Sequence, residues 1–320
     1  MIIVTGAAGF IASQLAKRLN DEGYTDLILV DDFSTAEKRK NWKHLTYNTC
    51  IDRGTFFQSM NTYRTVLEAG ACKAVFHLGA RTDTTCTNAE ILNSHNLHFS
   101  QHLFEWCTTR NIPFIYASSA ATYGAGERGY SDNEALLHLL LPLNMYGQSK
   151  QDFDVWLLQQ SNRPAQWAGF KFFNVFGYGE FHKGRMASVV LHAYRQIRQH
   201  GCIRLFKSYK KNIAHGMQMR DFIWVEDVLD VLMWCLKNKP ANGIYNLGTG
   251  KAASFNQLAH AIFNALQREV RIQYIEMPLD IRDKYQYYTQ ADMAKLRAAG
   301  YNKPFTPLEQ AVHTYVNQLM

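Results

Sequence analysis

Along the first half of the chain, short apolar runs alternate with stretches whose apolar residues recur every three to four positions. Residues 1–5, 26–31, 45–51, 74–78 and 114–118 are brief runs carrying aliphatic and aromatic side chains, and they predict strands. Residues 10–22, 53–68 and 89–110 keep a helical period. Such an alternation builds a parallel sheet covered on both faces. A long helix is expected to start near Asn144, and residues 167–173 read as a sixth strand. The pattern is that of a doubly wound α/β sheet, with a ligand crevice at the carboxyl ends of its strands.

After about residue 175 the rhythm changes. Residues 174–183 form a loop rich in Gly and aromatics, 188–199 read as helix and 203–206 as strand. Residues 207–217 are polar and basic without a period, so they read as a loop. An extended run over 220–225 leads into a helix through 237, and 243–247 reads as another strand of the main sheet. The remainder alternates helix, strand and helix. The expected division is a nucleotide-binding domain over 1–173 and a smaller, mainly substrate-binding α/β domain over 174–320. The second is discontinuous, because segments near 219–250 and 285–292 return to the first or its edge.

Composition narrows the class. The 320 residues are 47% apolar and 13% aromatic, enough to bury a substantial core and unlike a disordered chain. The formal charge of +7 reads first as a solvated surface and second as attraction for an anionic partner, such as a nucleotide diphosphate. No basic run alternates with aromatics, so no nucleic-acid partner is expected; the densest cluster is Lys38-Arg39-Lys40. The six cysteines form no C-x-x-C pair and show no metal-ligand spacing with a histidine, so reduced thiols and no metal are expected. Residues 135–143, the most apolar run, are too few to span a bilayer. Met1 leads straight into a strand rather than a signal peptide. The expectation is a cytoplasmic protein without a membrane partner.

Gly6 and Gly9 follow the first strand and open a helix, the context that lets backbone N–H groups approach a pyrophosphate at a helix N-terminus. Ala12 supplies the small third residue. Asp31 ends the second strand, where a carboxylate accepts from an adenosine ribose and favours NAD. Lys38 and Arg53 pull the other way, since they can neutralise a 2′-phosphate. Chemistry alone therefore leaves NAD and NADP open within a Rossmann-like fold.

The catalytic candidates are Ser119, Tyr146 and Lys150. A tyrosine with an ordinary pKa of about 10 is a poor base at neutral pH. Lys150 lies one helical turn past Tyr146, and its charge is expected to lower the phenol's pKa. Ser119, at the end of the fifth strand, can hold a substrate oxygen while Tyr146 moves a proton. Tyr-x-x-x-Lys alone is common by chance; after a strand ending in Ser118-Ser119 it is informative.

These residues resemble the extended short-chain dehydrogenase/reductase family. Residues 117–124, Pro142 to Lys150, Phe172 to Gly177, His182 to Ser188 and Tyr288 to Asp292 are similar to one branch of it, the ADP-glyceromanno-heptose 6-epimerases. The resemblance covers nearly the whole chain, and its most specific part is His182-Lys183-Gly184-Arg185-Met186-Ala187-Ser188. It implies a redox-neutral reaction in lipopolysaccharide core synthesis, in which tightly held NADP takes hydride from carbon 6 of ADP-D-glycero-D-manno-heptose and returns it to the other face. It assigns one acid/base role to Tyr146 and the other to Lys183, which chemistry alone reads as a surface charge or a phosphate contact. It implies cofactor contacts at Phe10, Ile11, Asp31, Asp32, Lys38, Arg53, Leu78, Gly79, Ala80, Arg81, Thr82, Asn96, Lys150 and Val175. Implied substrate contacts are Asn174, Arg185, His192, Phe206, Lys207, Ser208, Tyr209, Arg220 and Tyr285. Arg220 suits a diphosphate, whereas plain packing explains Phe206 and Tyr285 equally well. The resemblance also implies a homo-oligomer, a pentamer.

Ala7 and Ala12 stand where the family usually has glycine. Leu78, Arg81, Thr82, Arg185 and a long 207–217 loop are further departures, and they touch the sugar and diphosphate end. A dehydratase would carry an acidic pair after Ser119, where Ala120-Ala121 stand. A cofactor-binding regulator without catalysis would show a broken Ser/Tyr/Lys set.

Overall fold

The computed structural model describes residues 1–60, 72–282 and 285–320. Seven parallel strands form the main sheet: β1 (Ile2–Thr5), β2 (Leu27–Asp31), β3 (Thr49–Asp52), β4 (Ala74–His77), β5 (Phe114–Ser119), β6 (Trp167–Phe172) and β10 (Gly243–Leu247). Their order is β10-β6-β5-β4-β1-β2-β3, so the winding reverses between β1 and β4. That reversal is where an open α/β sheet makes its ligand crevice. Every residue of β1 and β2 is buried, which explains their unbroken apolar runs.

Two further strand groups lie beyond the main sheet. Strands β7 (Asn174–Phe176), β9 (Met219–Trp224) and β11 (Ala252–Ser254) pair in the order β11-β9-β7; β8 (Ile203–Phe206) pairs in parallel with β12 (Ile272–Ile275). One apolar core lines the main sheet. A second gathers the helices Val189–His200, Phe255–Ala265 and Leu308–Leu319. Helix Val225–Asn238 belongs to the first core and is tied to helix Phe10–Asp21 by Arg18, which pairs with Glu226 at 2.6 Å and Asp230 at 2.7 Å.

Four expectations change. The strand expected over 45–51 starts only at Thr49, because the turn after helix Arg39–Trp42 closes through the Leu45 N–H to the Trp42 carbonyl. The helix expected over 53–68 begins as a 3₁₀ turn at Arg53–Thr55 and continues as Phe56–Met60; its later part lies outside the described residues. The helix expected over 89–110 contains a π-helical turn, Asn93–His98. Residues 174–176, expected as loop, form β7 on the edge of β9.

Candidate active site

The crevice is built first by backbone. Gly6 adopts φ +72°, and a Cβ there would lie 2.6 Å from the Gly79 Cα, so the turn after β1 and the loop after β4 touch. Gly9 begins helix Phe10–Asp21 with no side-chain cap, which leaves first-turn amides for an anion. Asp31 closes the turn from below. Its carboxylate accepts from the Ala8 N–H at 2.9 Å and the Asp32 N–H at 2.7 Å, and it pairs with Lys38 at 3.0 Å. The Ser34 hydroxyl and then its amide hold Asp32 below the usual carboxylate range, with Lys38 and Arg53 adding to the effect. Lys38 and Arg53 therefore act on Asp32 through charge, while Lys38 itself is paired with Asp31. Arg53 also reaches the His95 ring at 3.3 Å.

The loop carrying Leu78 to Thr82 is held from behind. Asn96, fully buried in the π turn, accepts from the Arg81 N–H at 2.7 Å and donates to the Arg81 carbonyl at 3.1 Å. It also donates to Ser149 at 3.0 Å, on the helix of Tyr146. Its amide is thus engaged by protein groups, so it shapes the loop. His77 sits deeper, between Thr5 at 2.7 Å and Ser100 at 2.8 Å, and burial pushes it down to about 3.

Helix Met145–Gln159 starts at Asn144, whose side chain accepts from the Gly147 N–H at 2.8 Å. This cap brings Tyr146 and Lys150 against the end of β5. Burial raises the Tyr146 phenol, and its hydrogen bond with Ser119 opposes the rise. The expected lowering by Lys150 is not what the structure has. The Lys150 ammonium donates to the Ala117 carbonyl at 2.9 Å, and burial brings it down to about 8.

Lys183 comes from the 3₁₀ turn Phe181–Met186, with its ammonium 5.8 Å from the centre of the Phe10 ring. Burial lowers its pKa, and Glu180 opposes that. Glu180 anchors the turn: it accepts from the Ser188 hydroxyl at 2.6 Å, the Tyr315 hydroxyl at 3.0 Å and the Gly177 N–H at 3.3 Å. Asn41 bridges the Ala8 carbonyl at 3.1 Å and the Gly179 carbonyl at 3.0 Å. The Lys183 segment is thereby docked on the glycine turn.

At the other end, Arg220 is buried with no carboxylate partner among the described residues. Its guanidinium lies over Tyr285 at 5.1 Å and over Phe255 at 5.6 Å, and burial lowers its pKa. Phe206 meets Tyr285 edge-on at 6.4 Å. Lys207 pairs with Glu276 at 2.6 Å, and the Tyr209 N–H donates to the Tyr287 hydroxyl at 3.1 Å. The His192 ring contacts the Arg185 carbonyl at 3.3 Å, and the Arg185 side chain is exposed. Asn174 and Val175 lie on β7, opposite Phe222 and Ile223 of β9.

The model of the NAD dependent epimerase/dehydratase family matches residues 2–248. ADP-L-glycero-D-manno-heptose-6-epimerase of Nitratidesulfovibrio vulgaris is 46% identical, covering 100% of this chain and 98% of that one. The enzyme of the same name from Fusobacterium nucleatum is 43% identical with the same coverage. The crystal structure of the Helicobacter pylori ADP-L-glycero-D-manno-heptose-6-epimerase superposes with a TM-score of 0.82 at 27% identity, over 99% of this chain and 95% of that one.

The chain belongs to the NAD dependent epimerase/dehydratase family. It is an epimerase, an isomerase that uses a nicotinamide cofactor, and the resemblance read from its motifs is borne out. The residues present fit such a cofactor: the Gly6–Gly79 contact leaves no room for side chains, and the helix at Gly9 is uncapped. Within this epimerase, sequence reasoning missed Asp154, Lys171, Glu180, Asn41 and Arg282. Arg282 stacks on Tyr209 at 3.8 Å. Signals existed for two of them. Asp154 lies four residues past Lys150, and Lys171 is the lone charge in the strand Trp167–Phe172.

Proposed function

We propose that the chain epimerises ADP-D-glycero-D-manno-heptose at carbon 6 to ADP-L-glycero-D-manno-heptose, without net redox change, using tightly bound NADP. The product would feed lipopolysaccharide core heptose synthesis. The observation that carries this reading is a pair of ionisable side chains on separate elements, Tyr146 on its helix and Lys183 on the docked turn, each suited to an acid/base role. A reaction that moves hydrogen from one face of a carbon to the other has use for two such groups. The nicotinamide, when bound, supplies hydride acceptance and return. Ser119 orients the substrate oxygen and Tyr146 holds its proton. Lys183 serves the opposite face, and Arg220 grips the diphosphate. Lys38 and Arg53, whose charges both act on Asp32, support NADP over NAD.

The two apolar cores support a division in which residues 1–173, with returning segments near 219–250 and 285–292, carry the cofactor and the rest mainly binds substrate. Among the described residues no helix is long and apolar enough to cross a membrane. The same reading carries a cytoplasmic location and a homo-pentamer, which sedimentation tests.

A second reading is a different nucleotide sugar turned over by the same groups. It rests on Arg81 and Arg185, both exposed and both acting on Asp83, where the Thr85 hydroxyl and amide dominate in holding the carboxyl low. Proton NMR of ADP-D-glycero-D-manno-heptose incubated with the protein, without added reductant, tests both. The carbon-6 epimer is expected, with cofactor absorbance unchanged at the end. No epimer from protein that carries its nucleotide would defeat the first reading and send the search to other nucleotide sugars. Mass spectrometry of the released nucleotide is expected to give NADP.

A further inference from the structure

Beneath Tyr146 and Lys150 lies a charge pair that the reaction scheme does not use. Asp154 and Lys171 are both fully excluded from solvent, with Nζ and Oδ2 2.6 Å apart. Asp154 also accepts from the Tyr116 hydroxyl at 2.9 Å and the Ser118 hydroxyl at 2.7 Å. Tyr116 reaches it because Gly169 stands opposite on β6; a Cβ there would meet the Tyr116 ring at 2.4 Å. Lys171 donates in addition to the Thr122 hydroxyl at 2.8 Å, and Thr122 donates to the Ser119 carbonyl at 2.8 Å. Its ammonium lies 5.3 Å from the centre of the Tyr123 ring. Ser119 is thus braced on both sides, through Ser118 before it and Thr122 after it.

We propose that Asp154 and Lys171 are positioning residues for the epimerase reaction, which brace Ser119 and set the charge balance under Tyr146 and Lys150. Stability alone does not account for the pair, since apolar residues of like volume commonly hold a fold as well as a buried ion pair does. The electrostatics agree with the geometry. Burial lowers Lys150, and the opposing influence is Asp154; burial raises Tyr146, and Asp154 adds to that rise. The other groups facing this cluster are His77 from β4, which feels Lys150, Tyr116 from β5, which feels Glu134, and Tyr123, which feels Asp132.

The inference rests on the proposed chemistry of Tyr146 and Lys150, so its test is made independent of turnover. The test is a 13C NMR titration of the Lys150 side chain in the nucleotide-bound full chain, assigned with Lys150→Arg. In Asp154→Asn, Lys150 is expected to lose its proton about one pH unit lower than in the parent. A merely structural role predicts the opposite sign, because loosening would admit water and raise Lys150 toward its ordinary value. Lys171→Arg keeps the charge and is expected to titrate as the parent does. Asp154→Leu combined with Lys171→Met leaves no unpaired charge if the single variant fails to fold; because opposite charges leave together, its readout is the loss of Ser119 bracing in kcat rather than a Lys150 shift. In either folded variant kcat is expected to fall about tenfold, with KM changed less than about threefold. An unchanged or raised Lys150 titration in Asp154→Asn, or an unchanged kcat in the double variant, would overturn the inference. A parent without turnover bears on the proposed function instead.

Discussion

The two ends of the crevice are built differently. At the chemical end, Ser119, Tyr146 and Lys150 stand on a strand end and a capped helix, backed by a dry ion pair. At the proposed substrate end, Lys207, Ser208 and Tyr209 stand on a loop whose ties are surface contacts, such as Lys207 with Glu276. Arg220 is the exception there, since it projects from β9 and is buried. On the proposed assignment of roles, the difference is a division of labour: proton handling needs fixed groups in low dielectric, whereas sugar recognition tolerates adjustable loops.

The contrast breaks first at Tyr146. Tyr146→Phe is expected to lower kcat about 1000-fold while bound nucleotide stays, as steady-state assays and nucleotide release would show. Lys183→Met is expected to behave alike, and near-parental turnover in either variant removes that residue from its role.

Next comes Lys150. Its folded value of about 8 lies below the ordinary 10.5, so between those pH values the unfolded chain binds more protons. Stability should therefore rise with pH across that window, by up to about 3 kcal/mol relative to Lys150→Met. Urea unfolding of the two proteins at pH 8 and pH 10.5 measures it, and parallel curves contradict the burial described here.

Arg220→Ala sharpens the comparison from the other end. Losing one charge-assisted contact to a diphosphate is expected to raise KM about 10- to 100-fold, with a smaller change in kcat. An equal loss in both would make Arg220 part of the chemistry rather than the grip. Tyr315→Phe removes a donor to buried Glu180 and is expected to cost about 1.5 to 3 kcal/mol in unfolding assays, while loosening the Lys183 turn. Lys207→Ala, which breaks an exposed pair, is expected to leave Tm unchanged.

The same difference explains what the sequence made legible. The main sheet could be read because buried parallel strands are continuous apolar runs, as in residues 2–5 and 27–31. Strand β7 could not, because its three residues run from exposed to buried with no repeat. The π turn was not legible, since the residues it spans, Asn93 to His98, are mostly polar and give the helical period little apolar signal to shift; its trace is Asn96, a buried amide. Asp154 and Lys171 were legible as charges in apolar surroundings, but their partnership depends on the packing of helix against β6. The direction of the Tyr146 shift was misjudged for a related reason. Spacing puts Lys150 on the same face, yet only the packed structure shows its ammonium committed to Ala117.

The central claim is that hydrogen leaves carbon 6 as hydride and returns to it within one active site, while Tyr146 and Lys183 move the proton of the attached oxygen. The most direct test uses ADP-D-glycero-D-manno-heptose carrying deuterium at carbon 6, turned over in ordinary water and analysed by mass spectrometry and NMR. The account predicts an epimerised product that keeps its deuterium at carbon 6, because hydride is held by the cofactor and never exchanges with solvent. Epimer in which that deuterium has been replaced by solvent hydrogen would contradict it.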